Sequence, residues 1–145
     1  MKNNNFEICA RGIIIDGNKI LICKAKGNKN FFFPGGHVEW GERADLALKR
    51  ELKEEIGGTV KKSRFIGTNE NLYRQGRKIL HELNIVFEAK LGKKSPRVLE
   101  DHLEFRWVAL KDLAKIEVYP TAIKSSVLKW IKDKRIFWSS QGFNK

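Results

Sequence analysis

The 145-residue sequence has few cysteines, few histidines and no long apolar run. No uninterrupted hydrophobic stretch approaches the roughly 20 residues that a membrane-spanning helix requires. The first residues, Met-Lys-Asn-Asn-Asn, lack the apolar core of a secretory signal peptide. No internal repeat and no low-complexity tract interrupts the chain. We therefore expect one soluble, cytoplasmic domain over residues 1–145, with no membrane partner.

The scarcity of cysteine and histidine limits the redox and metal chemistry that the chain can support. The two cysteines, Cys9 and Cys23, both lie in apolar, strand-like runs. A hairpin turn at 16–18 between those runs does not bring the two thiols opposite each other, so we expect no disulfide. The three histidines do not have the spacing typical of zinc ligands. A metal site in this chain is therefore expected to use hard oxygen ligands.

Acidic residues are scarce relative to basic ones. The chain has 29 Lys and Arg residues against 17 Asp and Glu residues, which gives a formal net charge of +12. Such a charge favours polyanionic partners, namely nucleotides, nucleic acid or a membrane surface. The basic residues are scattered and are not clearly interleaved with aromatic ones. A solvated basic surface explains them equally well, so nucleic acid is the less favoured partner.

Hydrophobic residues make up 41% of the chain, and their spacing predicts both strands and helices. The first predicted elements are a hairpin of 6–15 and 19–25, a short strand at 31–33 ended by Pro34-Gly35-Gly36, and a helix from Glu42 to about Ile56. Strands follow at 59–68, 81–90 and 104–109, with a loop at 92–96 between the last two. A short helix from Leu110 and a longer one at about 121–134 come last. The aromatic residues Phe137 and Trp138 are expected to pack back on the domain. This order predicts either an α+β fold or an α/β fold in which a mixed sheet is sandwiched between helices.

The first predicted helix carries the residues best suited to chemistry. Glu51, Glu54 and Glu55 stand at i, i+3 and i+4, so their carboxylates share one helix face. At about 4 Å and an effective dielectric constant near 20, each like-charged pair costs roughly 4 kcal/mol before relaxation. Neighbouring basic residues would offset this repulsion on a solvated helix face. A hard cation would also offset it, because Mg²⁺ binds carboxylates together with substrate phosphates.

The residues around these acids follow a defined spacing. The segment reads Gly36-x5-Glu42-x7-Arg50-Glu51-Leu52-x-Glu54-Glu55-x-Gly57. It resembles the Nudix box, G-x5-E-x7-R-E-U-x-E-E-x-G-U with U an apolar residue, and it matches eight of the nine defined positions. Gly58 departs from the last of them. Phe33-Pro34-Gly35-Gly36 before the box and the strand Phe105-Arg106-Trp107-Val108 after it are also similar to the family. On these residues the chain is identified as a member of the Nudix (MutT-like) hydrolase family.

The resemblance implies a metal-dependent hydrolase that cleaves the pyrophosphate bond of a nucleoside diphosphate linked to another group. The implied substrate classes are nucleoside triphosphates, nucleotide sugars and dinucleoside polyphosphates. An RNA 5′-pyrophosphate or cap hydrolase and a non-catalytic nucleotide-binding module are the alternatives. Mg²⁺ is the implied cofactor, with Mn²⁺ as its substitute. A homodimer is compatible with the resemblance.

The same resemblance implies roles for residues of the box. Gly36, Glu51 and Glu55 are expected to bind the metal, the glycine through its carbonyl oxygen. Glu54 is expected to be a further ligand or the general base. Arg50 is expected to orient one of these carboxylates through a bidentate pair.

The general base and the substrate-binding residues are less closely defined. Three acids are candidates for the base, namely Glu54, Glu104 and Glu100. Glu82, predicted to begin a strand, is a further candidate acid near the substrate. Candidates for binding the base and phosphates of a nucleotide lie in a predicted loop before His81, namely Tyr73, Arg74, Arg77 and Lys78, with Phe31, Trp40 and Trp138 as alternative aromatic platforms.

Overall fold

The computed structural model describes residues 4–92 and 97–143. Its elements are β1 Asn4–Ile13, β2 Ile15–Asp16, β3 Lys19–Ala25, β4 Gly35–His37, α1 Ala44–Ile56, β5 Val60–Gln75, β6 Lys78–Leu91, β7 Leu103–Ala109, a 3₁₀ helix Leu110–Lys115, α2 Thr121–Asp133 and β8 Phe137–Gln141. Most of the loop predicted at 92–96 lies outside the described residues. Both predicted α-helices and the short helix after β7 are confirmed.

The strands form two sheets. The larger sheet has five strands in the order β4-β1-β6-β5-β8, and the smaller has three in the order β2-β3-β7. The pairs β1–β6 and β5–β8 are parallel, whereas β5–β6 and β1–β4 are antiparallel. The predicted mixed sheet is therefore confirmed, and the C-terminal strand packs back on the domain through β8, as expected.

The two α-helices cover opposite faces of the strands. Ala47, Leu48, Leu52 and Ile56 of α1 pack in one buried cluster. Ile123, Val127 and Trp130 of α2 pack in another. Neighbouring strand residues alternate between the two clusters, as the pleat of a strand requires. In β3, for example, Leu21 packs in the α1 cluster, whereas Ile20 and Ile22 pack in the α2 cluster. The predicted sandwich of helices around strands is thus the observed architecture.

Two strand predictions near the N-terminus are wrong. The expected hairpin of 6–15 with 19–25 is reduced to β2 pairing with the start of β3, where Ile15 faces Ile20. The preceding strand β1 instead joins the larger sheet between β4 and β6, where its ten residues pair in parallel with β6. Residues 31–33 form only isolated bridges, and the strand lies at Gly35–His37, paired with β1. Gly35 and Gly36, which were predicted to end a strand, therefore lie within strand β4.

The predicted loop before His81 is also wrong. Strand β5 continues to Gln75 and β6 begins at Lys78, so Tyr73 and Arg74 are strand residues and only a tight turn separates the two strands. Glu82 does not begin a strand. It lies inside β6, opposite Asn71, and is only 7% exposed.

Both cysteines are buried and free, and they lie in different sheets. Cys9 is opposite His37 and Asn84 in the larger sheet, whereas Cys23 is opposite Phe105 in the smaller one. The two thiols are therefore apart, although the hairpin from which this was expected does not form between their strands. In the part of the chain that the structure describes, no helix is long and apolar enough to cross a membrane.

Candidate active site

Helix α1 presents its acidic residues next to the buried layer. The helix has no internal Gly or Pro, and it ends at Gly57, whose left-handed conformation (φ 62°) lets its backbone N–H bond back to the last turn. Leu48 and Leu52 are fully buried against the strands. The Glu51 side chain is 17% exposed, whereas that of Glu54 is 53% exposed. The helix therefore fixes Glu51 at the edge of the core and leaves Glu54 free to move.

Arg50 links the acids to the segment before the helix. Its Nε and Nη2 donate to the two carboxylate oxygens of Glu42 at 2.9 and 3.0 Å, and Nη1 donates to Glu51 at 3.0 Å. Nη2 also donates to the His37 carbonyl at 3.1 Å. The bidentate partner of Arg50 is thus Glu42 and not one of the three acids of the helix. Arg50 still touches those acids, because its contact with Glu54 is 3.5 Å.

The Glu42 carboxylate depends on this guanidinium. Hydrogen bonds from Arg50, and a further one from the Glu39 backbone N–H, lower the pKa of Glu42 to about 2. The carboxylate therefore stays ionised throughout the working range of an enzyme. It holds Arg50 in place against β4.

Replacing Arg50 by lysine is expected to weaken both the fold and the site. Lysine cannot reproduce the planar pair of bonds to Glu42, so we expect a loss of about 1–2 kcal/mol in the free energy of unfolding. Turnover should fall about tenfold or more, because Glu51 loses its positioning partner. Urea unfolding and steady-state kinetics measure the two effects.

Arg43→Lys is the matched control for that substitution. Arg43 also makes a bidentate pair, with Asp45 at 2.9 and 3.2 Å, but its side chain is 77% exposed. We expect this control to change stability by less than about 0.5 kcal/mol and to leave turnover intact. Equal effects of the two substitutions would contradict the role given to Arg50.

Gly36 lies directly against the Glu51 carboxylate. Strand β4 sets this contact, because Gly36 is paired with Ala10 of β1. A Cβ atom at Gly36 would stand 2.4 Å from Glu51 Cδ and 2.7 Å from each carboxylate oxygen. Only glycine leaves room for the carboxylate there. A backbone segment and a carboxylate therefore meet at one point.

Glu55 completes this arrangement with a carboxylate of which one oxygen is buried and unsatisfied. Its Oε2 has no hydrogen-bond partner among residues 4–92 and 97–143. Burial, followed by the charge of Glu51, raises the pKa of Glu55 to about 8. An isolated buried carboxylate of this kind is costly unless a proton or a cation neutralises it. Among the carboxylates of α1, Glu55 is thus the one that a bound cation would stabilise most.

Gly36, Glu51 and Glu55 form a donor set that fits a hard divalent cation. All their available donors are oxygen atoms, which Mg²⁺ and Mn²⁺ prefer. Within residues 4–92 and 97–143, no three His, Cys, Asp or Glu side chains already form a metal cage. Arg50 bonds to Glu51 and approaches Glu54, so these contacts would have to open for the two carboxylates to hold a cation.

Glu104 lies in the smaller sheet, on a strand that comes much later in the chain than helix α1. It sits on β7 opposite Lys24, and its carboxylate is 2.9 Å from Arg106 and 3.8 Å from Lys24. Its two basic partners keep it oriented while its side chain remains 38% exposed. Glu100, the third candidate base, contributes to the raised pKa of Glu55 and so lies near that residue.

The predicted substrate-binding residues separate into two groups. Tyr73 and Glu82 lie close together, since burial and then the charge of Glu82 raise the pKa of Tyr73 to about 12. Arg74 and Arg77 are exposed at the end of the β5–β6 hairpin. The structure does not bring these two arginines to the acids of α1.

Sequence reasoning missed a buried polar network around Glu82. Asn84 donates to Glu82 at 2.6 Å and accepts from Arg11 at 3.2 Å, and Arg11 also donates to the Phe33 carbonyl at 3.3 Å. The network therefore connects Glu82 to the segment that leads into Gly36. The sequence offers only a partial signal. Asn69 and Asn71, and likewise Glu82 and Asn84, recur at the spacing of two that places side chains on one face of a strand, but their partners are not indicated.

Comparison with known proteins agrees with this geometry. A profile described as NUDIX domain matches residues 7–130. The ADP-ribose pyrophosphatase of Methanocaldococcus jannaschii is 32% identical over 126 residues, which cover 85% of this chain and 73% of that protein. The 8-oxo-dGTP diphosphatase of Buchnera aphidicola subsp. Schizaphis graminum is 35% identical over 117 residues, which cover 78% of this chain and 82% of that protein. A MutT protein crystal structure from Bacillus halodurans shares the fold, with a TM-score of 0.74, 20% identity and coverage of 92% of this chain and 88% of that one.

The chain therefore belongs to the Nudix family. Within that family it is a hydrolase acting on phosphorus anhydrides, the class in which both curated relatives are named. Hydrolases of this family use divalent metal ions, which agrees with the oxygen donors that meet at Gly36.

Proposed function

We propose that the protein is a Mg²⁺-dependent pyrophosphohydrolase, with Mn²⁺ as a substitute, that acts on a nucleotide. The observation that carries this proposal is the unpartnered Glu55 oxygen beside the contact of Gly36 with Glu51. The Gly36 carbonyl and the carboxylates of Glu51 and Glu55 would hold the cation, with Glu54 as a further ligand. When bound, the cation would neutralise phosphate oxygens and favour ionisation of the attacking water.

The residues of the chain have separate tasks in this proposal. Arg50 positions Glu51 and keeps Glu42 ionised. Glu54 or Glu104 accepts the proton of the attacking water, and each is exposed enough to reach it. Attack on phosphorus then breaks the bridging P–O bond, and the leaving phosphate takes the electron pair.

The substrate is proposed to be a nucleoside diphosphate linked to another group. Nucleoside triphosphates, nucleotide sugars and dinucleoside polyphosphates are the classes in question. Tyr73 and Glu82 are proposed to contact the nucleoside, and Arg74 and Arg77 the more distant phosphates. The names of the two curated relatives, which refer to ADP-ribose and 8-oxo-dGTP, support a nucleotide substrate.

We propose in addition that residues 1–145 act as a single domain in the cytoplasm. The buried, unpaired thiols of Cys9 and Cys23 support a reducing compartment. All box carboxylates are retained, which favours an active enzyme over a binding module without catalysis.

A substrate panel tests the proposed function. We expect phosphate or nucleoside monophosphate release from at least one nucleotide anhydride with Mg²⁺ or Mn²⁺, and none in EDTA. The panel contains nucleoside triphosphates including the 8-oxo form, ADP-ribose, nucleotide sugars, dinucleoside polyphosphates and RNA with a 5′ triphosphate or cap. Release measured in H₂¹⁸O identifies the attacked phosphorus. Absence of turnover across the panel with both metals would contradict the proposal.

A further inference from the structure

Helix α1 covers only part of its side of the larger sheet. Ile85, Phe87 and Ala89 of β6 pack in the α1 cluster. Ile79 and His81 project to the same side of β6, because side chains at spacings of two share one face of a strand. Among the described residues, neither of them belongs to the α1 cluster, and Ile79 is exposed. The first half of β6 therefore lies in an uncovered part of the sheet.

Aromatic and apolar side chains of three neighbouring strands meet on this uncovered part. Phe6, His81 and Leu72 form a row, because His81 of β6 is opposite Phe6 of β1 and Leu72 of β5. The rings of Phe6 and His81 lie 4.7 Å apart, and the ring of Phe143 lies 5.1 Å from that of His81. Phe6, Leu72, Ile79 and His81 line a hollow of about 320 Å³ beside this row. The row is thus a continuous surface.

Trp138 extends the same surface to the edge strand β8. It is opposite Thr68 of β5, which is itself opposite Ile85 of the α1 cluster, so Trp138 projects to the α1 side of the sheet. Its indole N–H donates to Glu70 Oε1 at 3.2 Å, and Glu70 Oε2 lies 3.2 Å from His81 Nε2. Glu70 therefore connects Trp138 to the central row.

The surface is large for an exposed apolar patch. We define the aromatic face as Phe6, Leu72, Ile79, His81, Trp138 and Phe143. Phe6 is 61% exposed and Trp138 is 65% exposed. Since an aromatic side chain offers roughly 200 Å² of surface, the exposed parts of Phe6, Trp138 and Phe143 amount to about 350 Å². The largest apolar patch on a monomer is about 300–600 Å² and is often functional. The aromatic face therefore has the size of an interaction site.

The charged groups beside the aromatic face make it complementary to itself. Glu70 and Arg74 project to the same side of β5, at equal distances before and after Leu72. A two-fold axis that lies in the interface and runs across the strands along the row of Leu72 and His81 would exchange these two positions. It would bring Arg74 of each copy opposite Glu70 of the other, on both sides of an apolar centre.

We propose that the aromatic face is the interface of a homodimer with this two-fold symmetry. The apolar side chains would pack against those of the second copy, and two pairs of Glu70 with Arg74 would fix the register. An anionic membrane suits the face less well, because a membrane surface attracts cations and repels the Glu70 carboxylate. Tyr73 and Glu82 project to the other side of the sheet, so the dimer leaves them uncovered. Arg77, in the turn of the hairpin, also remains exposed in the dimer.

The area of the face indicates a reversible dimer. A stable complex buries about 800 Å² per partner, which is more than the exposed aromatic surface available here. Two chains of net charge +12 also repel each other, although charges more than about 8 Å apart are largely screened at physiological ionic strength. We therefore expect a dissociation constant in the micromolar range.

Sedimentation velocity of the full chain between about 1 and 200 μM at physiological salt tests the proposal. We expect the mass to shift from monomer to dimer as the concentration rises. Ile79→Glu should weaken dimerisation about tenfold or more, because it would bury an unpaired charge in the interface. Ile136→Glu is the matched control, since Ile136 is exposed beside the end of α2, and it should leave the dissociation constant within about twofold.

Reversal of charge tests the two-fold arrangement. Arg74→Glu alone and Glu70→Arg alone should each weaken dimerisation about tenfold or more, because like charges would then face each other at both pairs. An equimolar mixture of the two variants should restore the dimer. One variant carries two negative groups at these positions and the other carries two positive groups, so every pair in the mixed dimer is attractive.

Three results would overturn the proposal. The first is a monomer at every concentration, or a dimer that Ile136→Glu weakens as much as Ile79→Glu does. The second is a mixture of the charge-reversed variants that stays monomeric. The third is a monomer that binds phosphatidylserine vesicles through Ile79, which would assign the aromatic face to a membrane.

Discussion

Glu55→Gln is expected to abolish turnover and, at the same time, to stabilise the metal-free protein above neutral pH. The glutamine amide cannot supply a charged ligand, so turnover should fall about a hundredfold or more. Stability should change in the opposite direction, because the Oε2 atom of native Glu55 is buried without a hydrogen-bond partner among the described residues. Burial and the Glu51 charge raise the pKa of Glu55 from 4.5 to about 8.

The sign of the pH dependence follows from this raised pKa. Between pH 4.5 and about 8 the unfolded chain releases the Glu55 proton while the native protein retains it. The stability that the protonated group contributes is thus complete below pH 4.5 and is lost as pH rises through about 8. Glutamine removes this loss, so the variant should be about 1–3 kcal/mol more stable than the wild type at alkaline pH.

Urea unfolding in EDTA across this pH range, together with steady-state kinetics, measures both effects. Glu117→Gln, which removes an exposed carboxylate, serves as the control and should change neither quantity. Turnover of Glu55→Gln within about threefold of the wild type would contradict its role as a ligand. Parallel pH profiles of stability in variant and wild type would contradict the buried, protonated state.

Gly36→Ala is the second substitution with a large expected effect. The added Cβ would lie 2.4 Å from Glu51 Cδ, so the carboxylate has to move away from β4. The obstacle is the end of a flexible side chain, and we therefore expect a stability cost of no more than about 2 kcal/mol. Displacing a ligand should nevertheless reduce Mn²⁺ affinity and turnover by about ten- to a hundredfold.

Gly58→Ala provides the matched control for the same chemical change. A Cβ at Gly58 meets its nearest neighbours at 3.4 Å, which is ordinary contact with Ile56 and Leu91. We expect Mn²⁺ affinity, followed by electron paramagnetic resonance, and turnover to remain within about twofold of the wild type. If Gly36→Ala behaved like this control, the backbone at Gly36 could not be the partner of Glu51 at the metal.

The local pattern was sufficient to predict the helix that bears the acids. Apolar residues at spacings of three and four, no internal Gly or Pro, and Gly57 at the end determined both α1 and its buried face. The resemblance to the Nudix box implied that Gly36 and Glu51 bind one metal, and the structure places the two residues in contact. The partner of Arg50 could not be predicted in this way, because Glu42 precedes the helix and its position depends on how β4 leads into α1.

Strand pairing was harder to predict for a physical reason. An apolar run such as β1 can pair with any neighbour of suitable length, and the short turn at 16–18 suggested the following strand. The paired residues of the parallel partner β6 are 75 positions further along the chain, as in Asn4 with Ile79, and no local signal identifies them. The contact of Asn84 with both Glu82 and Arg11 follows from that pairing, so the buried network became visible only in the fold.

The end of α1 is closed by residues that come much later in the chain. The backbone N–H groups of Leu99 and Arg97 donate to the carbonyls of Glu55 and Ile56 at 2.7 and 3.1 Å. These bonds satisfy carbonyl groups at the end of the helix that would otherwise need water as a hydrogen-bond donor. The connection between β6 and β7 is therefore bound to the last turn of α1 by these two hydrogen bonds. A deletion that removes Arg97 to Leu99 is therefore expected to free the turn that carries Glu55 without altering any residue of the Nudix box.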